Sequence, residues 1–203
     1  MLGTLYIIGI TAESMTGALA AGRRSMDLFG VVIIGCCTAL GGGSMRNILL
    51  GHYPLTWVAH PNYILITTAA ALLTVYIFAR YMQRLRMLFL MLDALGLIVF
   101  TIIGTQEALN DKHPLLIASI AGIITGVFGG ILRDILCNQI PLIFRKELYA
   151  SVSLMAGWLY ILLKDHTSLN IILSTIITLL AGFSLRMLSV WFHWEMPKFE
   201  YSE

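Results

Sequence analysis

Charged side chains are scarce in this chain of 203 residues. Asp, Glu, Lys and Arg together make up 12% of the sequence, against about 25% in soluble globular proteins. Hydrophobic residues make up 58% and gather in runs of about 20, which is long enough to cross a bilayer core of about 30 Å. The composition therefore excludes a soluble domain and predicts an all-α, polytopic membrane protein.

The sequence also has few of the residues and motifs that bind metals or carry covalent chemistry. Cys36, Cys37 and Cys137 lie within apolar runs with no CxxC spacing, which indicates small buried side chains and neither a disulfide nor a metal site. The five histidines lie at or beyond the ends of these runs without ligand spacing. Phosphate-loop, serine-hydrolase and zinc-protease motifs do not occur. We therefore expect no enzyme activity, no cofactor, no bound metal and no nucleic-acid partner.

Seven apolar segments follow one another along the chain and predict seven transmembrane helices. Their approximate bounds are Leu2–Ala21, Leu28–Leu50, Tyr63–Tyr81, Met87–Glu107, Leu115–Cys137, Leu148–Leu163 and Leu169–Phe192. No Lys or Arg precedes the first segment, and Arg23 and Arg24 follow it. This is the reverse of the charge order in a signal peptide, so we expect a helix that is retained.

A glycine-rich stretch with an arginine, Gly-Gly-Gly-Ser-Met-Arg-Asn at residues 41–47, occurs twice in related form. The offset is 87 residues: Gly42, Gly43 and Arg46 return as Gly129, Gly130 and Arg133, and Asn47 is replaced by Asp134. Between residues 33–55 and 120–142, ten of 23 positions are identical without a gap. The sequence therefore predicts a tandem duplication.

The duplication predicts two repeats of opposite orientation. Each copy contains three predicted helices, and because this number is odd the second copy enters the membrane upside down relative to the first. We expect a first repeat at residues 1–81, an inverted second repeat at 87–166, and a seventh helix with a polar tail at 167–203.

The basic residues predict the orientation of the chain in the membrane. With the N-terminus outside, the inner loops and tail contain Arg23, Arg24, Arg80, Arg84, Arg86, Arg145, Lys146 and Lys198. The outer loops then contain only Lys112 and Lys164. Because Lys and Arg are enriched in cytoplasmic loops, we expect the N-terminus outside and the C-terminus in the cytoplasm.

The glycines before each arginine have two interpretations. Small residues allow membrane helices to pack closely, and this reading applies to Gly41, Gly42 and Gly43 and to their counterparts Gly129 and Gly130. An arginine at the same depth in both copies instead favours a kink or break that lines a polar cavity. We predict the cavity, because charges within a membrane are rare and usually functional.

Arg46 and Arg133 also have two interpretations. Each lies some residues inside the end of an apolar run, where a long side chain can reach the headgroups. Their paired occurrence, with Asp134 beside Arg133, instead favours charge-neutralised groups at the two mouths of a pathway. Asn47 stands where the second copy has Asp134, so the first mouth is expected to lack its carboxylate.

Glu13 and Asp93 are the acidic residues placed deepest in the predicted helices. An isolated carboxylate in hydrocarbon costs about 3 kcal/mol on insertion scales, so each is expected to face protein or water. Glu13 lies among Thr11, Ser14 and Thr16, which is typical of a polar lining. For Asp93 a structural, hydrogen-bonded carboxyl and a pathway role remain equal alternatives.

These residues resemble those of a known family. The chain combines GITAE at residues 9–13, LDALGL at 92–97, the two glycine-arginine stretches and RDxxxxxxPLxF at 133–144. It resembles the bacterial inner-membrane UPF0126 proteins, described as carrying two glycine-transporter domains. It is also similar in repeat design to the trimeric intracellular cation channels (TRIC), which have seven helices and an outside N-terminus.

The resemblance implies a transport protein of the bacterial inner membrane, in contact with lipid and assembled as a homo-oligomer, by resemblance a trimer. Broken helices offer unpaired N–H groups to a carboxylate and unpaired C=O groups to an ammonium. The leading prediction, in which the choice of substrate rests on the family resemblance alone, is transport of glycine or a similar small zwitterion past the second and fifth helices. The alternative is a TRIC-like channel for monovalent cations such as potassium.

Overall fold

The regular structure of the chain is helical throughout its described part. The structure is a computed structural model that describes residues 2–78, 85–144, 148–166 and 169–194. The α-helices are α1 (Leu2–Arg23), α2 (Leu28–Leu50), α3 (Thr56–Ala59), α4 (Asn62–Phe78), α5 (Arg86–Asn110), α6 (Leu115–Leu136), α7 (Ala150–His166) and α8 (Ile171–Trp191). A 3-10 turn at Leu142–Phe144 precedes α7. The predicted all-helical class is confirmed.

Five of these helices are long and apolar enough to cross a membrane by themselves, namely α1, α2, α5, α6 and α8. The other two long helices, α4 and α7, have 17 described residues each. The prediction for α2 matches its bounds, whereas α5 extends beyond Glu107 to Asn110. The end of the third predicted segment, 79–81, lies outside the described residues.

Several charged side chains lie buried inside the helical bundle, and many large apolar side chains are exposed on its surface. The buried set includes three arginines, Arg46, Arg133 and Arg186. Phe29, Leu65 and Tyr76 are among the exposed side chains. This distribution suits a chain whose outer surface meets lipid, because charges within a membrane turn towards the bundle interior.

The centre of the fold is an antiparallel contact between α2 and α6. A Cβ added at Gly42 would overlap the Thr125 carbonyl oxygen, and one added at Gly129 would overlap the Thr38 carbonyl oxygen. Adding 87 to Gly42 and Thr38 gives Gly129 and Thr125, so the two contacts are reciprocal. Such reciprocity is what a two-fold relation between the copies would produce.

The contact between α1 and α5 is also reciprocal under the offset of 87 residues. A Cβ on Gly9 would meet Val99 and Phe100, and one on Gly96 would overlap the Glu13 carboxyl. Shifted by 87, Gly9 and Glu13 become Gly96 and Phe100. Glycines are thus required where these helices cross, because no side chain fits between the elements.

The predicted breaks at the glycines are absent from the described helices. Both α2 and α6 run without interruption through Gly42 and Gly129. The predicted break is therefore wrong for these two glycines, and the close-packing interpretation accounts for them; a kink that lines a polar cavity stays a prediction. The physical reason is that helix–helix contact at the crossing supports a backbone that glycine alone would weaken.

The basic residues used to predict orientation are only partly described. Arg80, Arg84, Arg145, Lys146 and Lys198 lie outside the described residues. Of the others, Arg23 and Arg86 line one cavity together with Asp134 of α6, and Arg23 and Arg133 both lie over the Phe89 ring. The orientation of the termini stays a prediction.

Candidate functional site

Two buried groups of polar side chains lie on either side of the α2–α6 contact. The Arg133 cluster consists of Glu13, Thr16, Asp93, Arg133, Asp134 and Tyr149, and the Arg46 cluster of Tyr6, Arg46, Asn47, Thr56 and Glu107. From the Gly42–Thr125 contact, Arg46 lies four residues along α2 and Arg133 eight residues along antiparallel α6. At a rise of 1.5 Å per residue, the two arginines are about 18 Å apart along the helix axes.

The guanidinium of Arg133 binds two carboxylates. Its Nη1 lies 2.6 Å from Asp93 Oδ1, and its Nε lies 2.8 Å from Asp134 Oδ1. The second oxygen of Asp134 accepts the Leu142 backbone N–H at 2.9 Å. Arg133 and Asp93 are fully buried, so this is a charge pair that water does not screen.

Hydrogen bonds extend the Arg133 cluster to α1 and to the start of α7. The Thr16 hydroxyl accepts from Arg133 Nη1 at 3.2 Å and donates to Glu13 Oε2 at 3.0 Å. Tyr149, just before α7, donates its hydroxyl to Asp93 Oδ1 at 3.4 Å. Asp93 and Asp134 thus bind the guanidinium directly, and Glu13 is connected to it through Thr16.

The Arg46 cluster has one carboxylate and more polar neutral groups. Arg46 Nη2 lies 3.0 Å from Glu107 Oε2, and the same nitrogen donates to Asn47 Oδ1 at 2.8 Å. The Asn47 amide in turn donates to Thr56 Oγ1 at 2.9 Å. Glu107 is 31% exposed whereas Arg46 is 1% exposed, so this cluster reaches the surface on its acidic side.

Glu107 corrects the expectation that the first mouth lacks a carboxylate. The missing acid at Asn47 is replaced by Glu107 from the far end of α5, in the other repeat. Sequence comparison missed it because the offset of 87 pairs Glu107 with Ala20. Its place near the end of an apolar run was the available signal.

Burial excludes the snorkelling interpretation for both arginines. Neither Arg46 nor Arg133 reaches the surface, and each binds a carboxylate from α5. For Asp93, the structure supplies the hydrogen-bonded partner that the structural alternative requires. Whether these residues line a pathway stays a prediction.

Gly43 and Gly130, which are 87 residues apart, each lie beside the guanidinium of their own stretch. A Cβ on Gly43 would lie 3.5 Å from the Tyr6 hydroxyl and 4.0 Å from Arg46 Nη2. A Cβ on Gly130 would lie 3.2 Å from the Tyr149 hydroxyl and 3.6 Å from Arg133 Nη2. Each copy therefore presents a hydroxyl and a guanidinium to a glycine that leaves room beside them. Gly41 instead packs against Leu132 of α6.

Each cluster borders a cavity. One of about 150 Å³ adjoins Arg46 and is otherwise apolar, with Leu49, Ile117 and Ile120 among its lining. Another of about 140 Å³ adjoins Asp134. The α2–α6 contact lies between the two clusters, so the described structure is closed at its centre.

Some buried polar atoms of both clusters make no hydrogen bond within the described part of the chain. They are Arg46 Nη1, Asp93 Oδ2 and Arg133 Nη2. Buried polar atoms are normally satisfied by protein or ordered water. These three atoms therefore have capacity for water or a passing solute. Within the described residues no group of three His, Cys, Asp or Glu side chains is arranged to hold a metal.

Tyr149 and Arg186, which the sequence analysis did not select, connect the Arg133 cluster to α8. The guanidinium of Arg186 lies 4.8 Å from the centroid of the Tyr149 ring. Its Nη1 also donates to Ser189 at 3.4 Å. An arginine within the last apolar run was a detectable signal, because intramembrane charge is rare.

The chain is similar to known proteins over nearly its whole length. The family model described as Glycine transporter matches residues 4–79 and 90–165. The UPF0126 inner membrane protein YadS of Escherichia coli (strain K12) is 33% identical over 199 residues, which cover 98% of this chain and 96% of that protein.

Solved structures of TRIC channels are also similar to this chain, both in sequence and in fold. The TRIC trimeric intracellular cation channel orthologue from Rhodobacter sphaeroides is 34% identical with a TM-score of 0.88, covering 94% of this chain and 97% of that one. A prokaryotic TRIC channel whose crystal structure was determined in 0.5 M KCl is 31% identical with a TM-score of 0.87 and covers 96% and 98%.

Proposed function

The chain belongs to the glycine-transporter family of UPF0126 membrane proteins. We propose that it is a channel for monovalent cations. Family and fold point to a membrane transporter or channel rather than an enzyme. The observation that carries the proposal is the likeness to solved TRIC cation channels, at 34% and 31% identity over more than nine-tenths of the chain.

The path that we propose runs between α1, α2, α5 and α6, from one arginine cluster to the other. Both clusters border cavities, and Gly43 and Gly130 leave room beside the guanidinium groups. In the Arg133 cluster two carboxylates bind one guanidinium, and this excess of acidic groups suits a cation better than an anion. Opening requires α2 and α6 to separate at Gly42 and Gly129, where the path is closed.

The proposed architecture is two inverted three-helix repeats, 1–81 and 87–166, followed by a seventh helix and tail at 167–203. The reciprocal contacts of Gly42 and Gly129 support a two-fold relation, and the family model matches once in each half. We place the N-terminus outside and the C-terminus in the cytoplasm of a bacterial inner membrane. We also propose a homotrimer, as in the Rhodobacter orthologue described as trimeric.

Glycine or a similar small zwitterion, the leading prediction from sequence, is the second candidate. Two buried atoms favour it: Arg133 Nη2 suits a carboxylate and Asp93 Oδ2 suits an ammonium, and neither makes a hydrogen bond to the described residues. Unpaired backbone N–H and C=O groups do not support glycine as the substrate, because α2 and α6 are continuous helices.

Planar-bilayer recording beside flux measurement separates the two candidates. A channel gives ohmic single-channel currents in symmetric KCl and, under a KCl gradient, a reversal potential near that of potassium. A carrier gives saturable uptake and counterflow of labelled glycine in proteoliposomes. Glycine counterflow without ohmic current would reject the channel and favour the second candidate.

A matched pair of variants connects any current to the proposed path. Glu107→Gln removes the half-exposed carboxylate at the Arg46 cluster and should lower cation conductance, because a negative group at a mouth concentrates cations. Asp165→Asn removes an exposed acid near the end of α7 and should leave conductance unchanged. Equal effects of the two changes would contradict the path.

A further inference from the structure

Glu13 differs from the other two acids of the Arg133 cluster, because it makes no ion pair with a described residue. Asp93 and Asp134 each bind the Arg133 guanidinium, at 2.6 Å and 2.8 Å. Glu13 is connected to that guanidinium only through the Thr16 hydroxyl. It is 2% exposed, so water does not replace the missing cation. Since a buried carboxylate without a cation beside it is costly, a charged Glu13 would be the least stabilised acid of the cluster.

The Thr16 hydroxyl has more acceptors around it than protons to donate. Its oxygen lies 2.8 Å from the Glu13 backbone carbonyl oxygen and 3.0 Å from Glu13 Oε2. A hydroxyl has one proton and two lone pairs, so it does not donate fully to both. Arg133 Nη1 donates to the same oxygen at 3.2 Å and occupies one lone pair. A proton on Glu13 Oε2 completes the set, because Thr16 then donates to the backbone carbonyl and Glu13 donates to the second lone pair of Thr16.

The charges around Glu13 also favour its neutral form. The charged groups that act on it are Asp93 from α5 and Arg133 and Asp134 from α6. Tyr149, before α7, is a further ionisable group near it. Among the described residues, α2 and α4 also pack on α1 but add no charged group to this set. Two of the three charged groups are acids, and the one cation already binds both of them.

The crossing of α1 and α5 encloses the Glu13 carboxyl in the closed structure. A Cβ on Gly96 would overlap this carboxyl, which therefore fills the space that a side chain on α5 would occupy. One turn earlier on α1, a Cβ on Gly9 would meet Val99 and Phe100. Water thus reaches the carboxyl from this side only when α1 and α5 separate.

We infer that Glu13 holds a proton in the closed structure and releases it when water enters the crossing of α1 and α5. On release, the O–H bond of the carboxylic acid breaks, the proton passes to a water molecule to form hydronium, and a carboxylate remains. The bound proton follows from the closed contacts alone. Its release rests on the proposed function, because it requires the path to open. The carboxylate then adds a negative charge beside a path for cations.

Infrared spectroscopy of the purified full-length chain tests the bound proton directly. A protonated carboxyl has a C=O stretching band that is separate from those of carboxylates and backbone amides and that shifts in D2O. Exposed acids are ionised at pH 7, so in a detergent without ester groups the wild type should show this band from Glu13. Glu13→Gln should abolish the band. Glu107→Gln is the matched control and should retain it, because Glu107 binds Arg46 directly and is 31% exposed.

Two further measurements locate the proton. Thr16→Val removes the acceptor of the proposed hydrogen bond, so it should shift the band without abolishing it. Glutamine has the shape of glutamic acid and carries no charge. Glu13→Gln should therefore fold, and its unfolding temperature at pH 7 should be no lower than that of the wild type.

The bound proton is contradicted if the wild type shows no protonated carboxyl band at pH 7. It is also contradicted if the band survives Glu13→Gln, disappears in Glu107→Gln or stays unmoved in Thr16→Val. Failure of Glu13→Gln to fold would count against it as well, since glutamine reproduces the neutral acid.

Bilayer recording tests the release step. The conductance of the wild type should rise with pH, because ionised Glu13 adds a negative charge to the path, and Glu13→Gln should lose this rise. An equal rise in Glu13→Gln would reject the release of the proton from Glu13. Absence of ohmic current at every pH would reject the channel, whereas the infrared result would still decide whether Glu13 holds a proton.

Discussion

The Arg133 and Arg46 clusters start from equivalent residues of the two copies but neutralise their arginines differently. Arg133 binds Asp134 beside it and Asp93 across the bundle, and both are buried. Arg46 has Asn47 beside it and binds Glu107, which is partly exposed. Both glycine-arginine stretches thus contain the arginine, whereas its acidic partners differ in number, in the helix that supplies them and in exposure to water. Loss of the arginine should therefore cost more stability in the Arg133 cluster than in the Arg46 cluster.

Arg133→Gln should have the largest effect on stability. It leaves Asp93 and Asp134 buried without their cation, and breaking a buried pair in this way costs about 3–5 kcal/mol. We expect a much lower unfolding temperature in detergent and little folded protein. The double variant Arg133→Gln with Asp93→Asn should recover part of the loss, and a single variant as stable as wild type would contradict the arrangement.

Gly42→Val and Gly129→Val should have the second largest effect on stability, and the two losses should be nearly equal. The added side chain would overlap a backbone carbonyl of the opposite helix, which cannot rotate away, so we expect a loss of about 3 kcal/mol, the upper part of the overpacking range. Thermal unfolding and oligomer content on native gels are the measurements.

The control for this pair is Gly3→Val in α1, where nothing lies within 4 Å of an added Cβ. It should fold like wild type. If Gly42→Val is tolerated while Gly129→Val is not, the reciprocal contact at the centre of the fold is wrong.

Arg46→Gln should be less harmful than Arg133→Gln. Its partner Glu107 is 31% exposed, so water can solvate the carboxylate that the change releases. We expect a loss of about 2 kcal/mol, as for one hydrogen bond to a charged group, measured as the shift in unfolding temperature beside Arg133→Gln. An equal or larger loss for Arg46→Gln would reverse the order of the two clusters.

His52→Gln should have the smallest effect. His52 Nε2 lies 2.8 Å from Asp111 Oδ2 at the Arg46 end of the bundle, and both side chains are about one-third exposed. Exposed pairs of this kind contribute about 0–1 kcal/mol and weaken with salt. Unfolding curves of wild type and variant should nearly coincide at high salt, and a persistent large difference would indicate a structural role for this pair.

Much of the fold was predictable because its signals are local. Apolar runs gave the helical membrane class and the bounds of α2, and the family resemblance is confirmed. The offset of 87 identified Arg46 and Arg133 as an equivalent pair. The predicted helix breaks were wrong because a glycine run looks the same in a sequence whether it interrupts a helix or admits a neighbouring one.

The predicted site residues divide into those that meet and those that do not. Glu13, Asp93, Arg133 and Asp134 come together in one cluster, while Arg46 and Asn47 lie about 18 Å away in the other. Tyr149, Arg186 and Glu107 were missed. Each joins its cluster across the bundle, so neither spacing nor periodicity could assign its partner.

The sequence by itself determined that this protein is helical, lies in a membrane and carries a glycine-arginine stretch twice, because hydropathy, length and repetition are properties of the linear chain. Only the tertiary structure decided how the charges are neutralised. Asn47 stands where the second stretch has Asp134, and the packing of the helices brings Glu107 to Arg46 from 61 residues further along the chain. A buried charge needs a partner close in space, and which residue is close is fixed by the packing of helices.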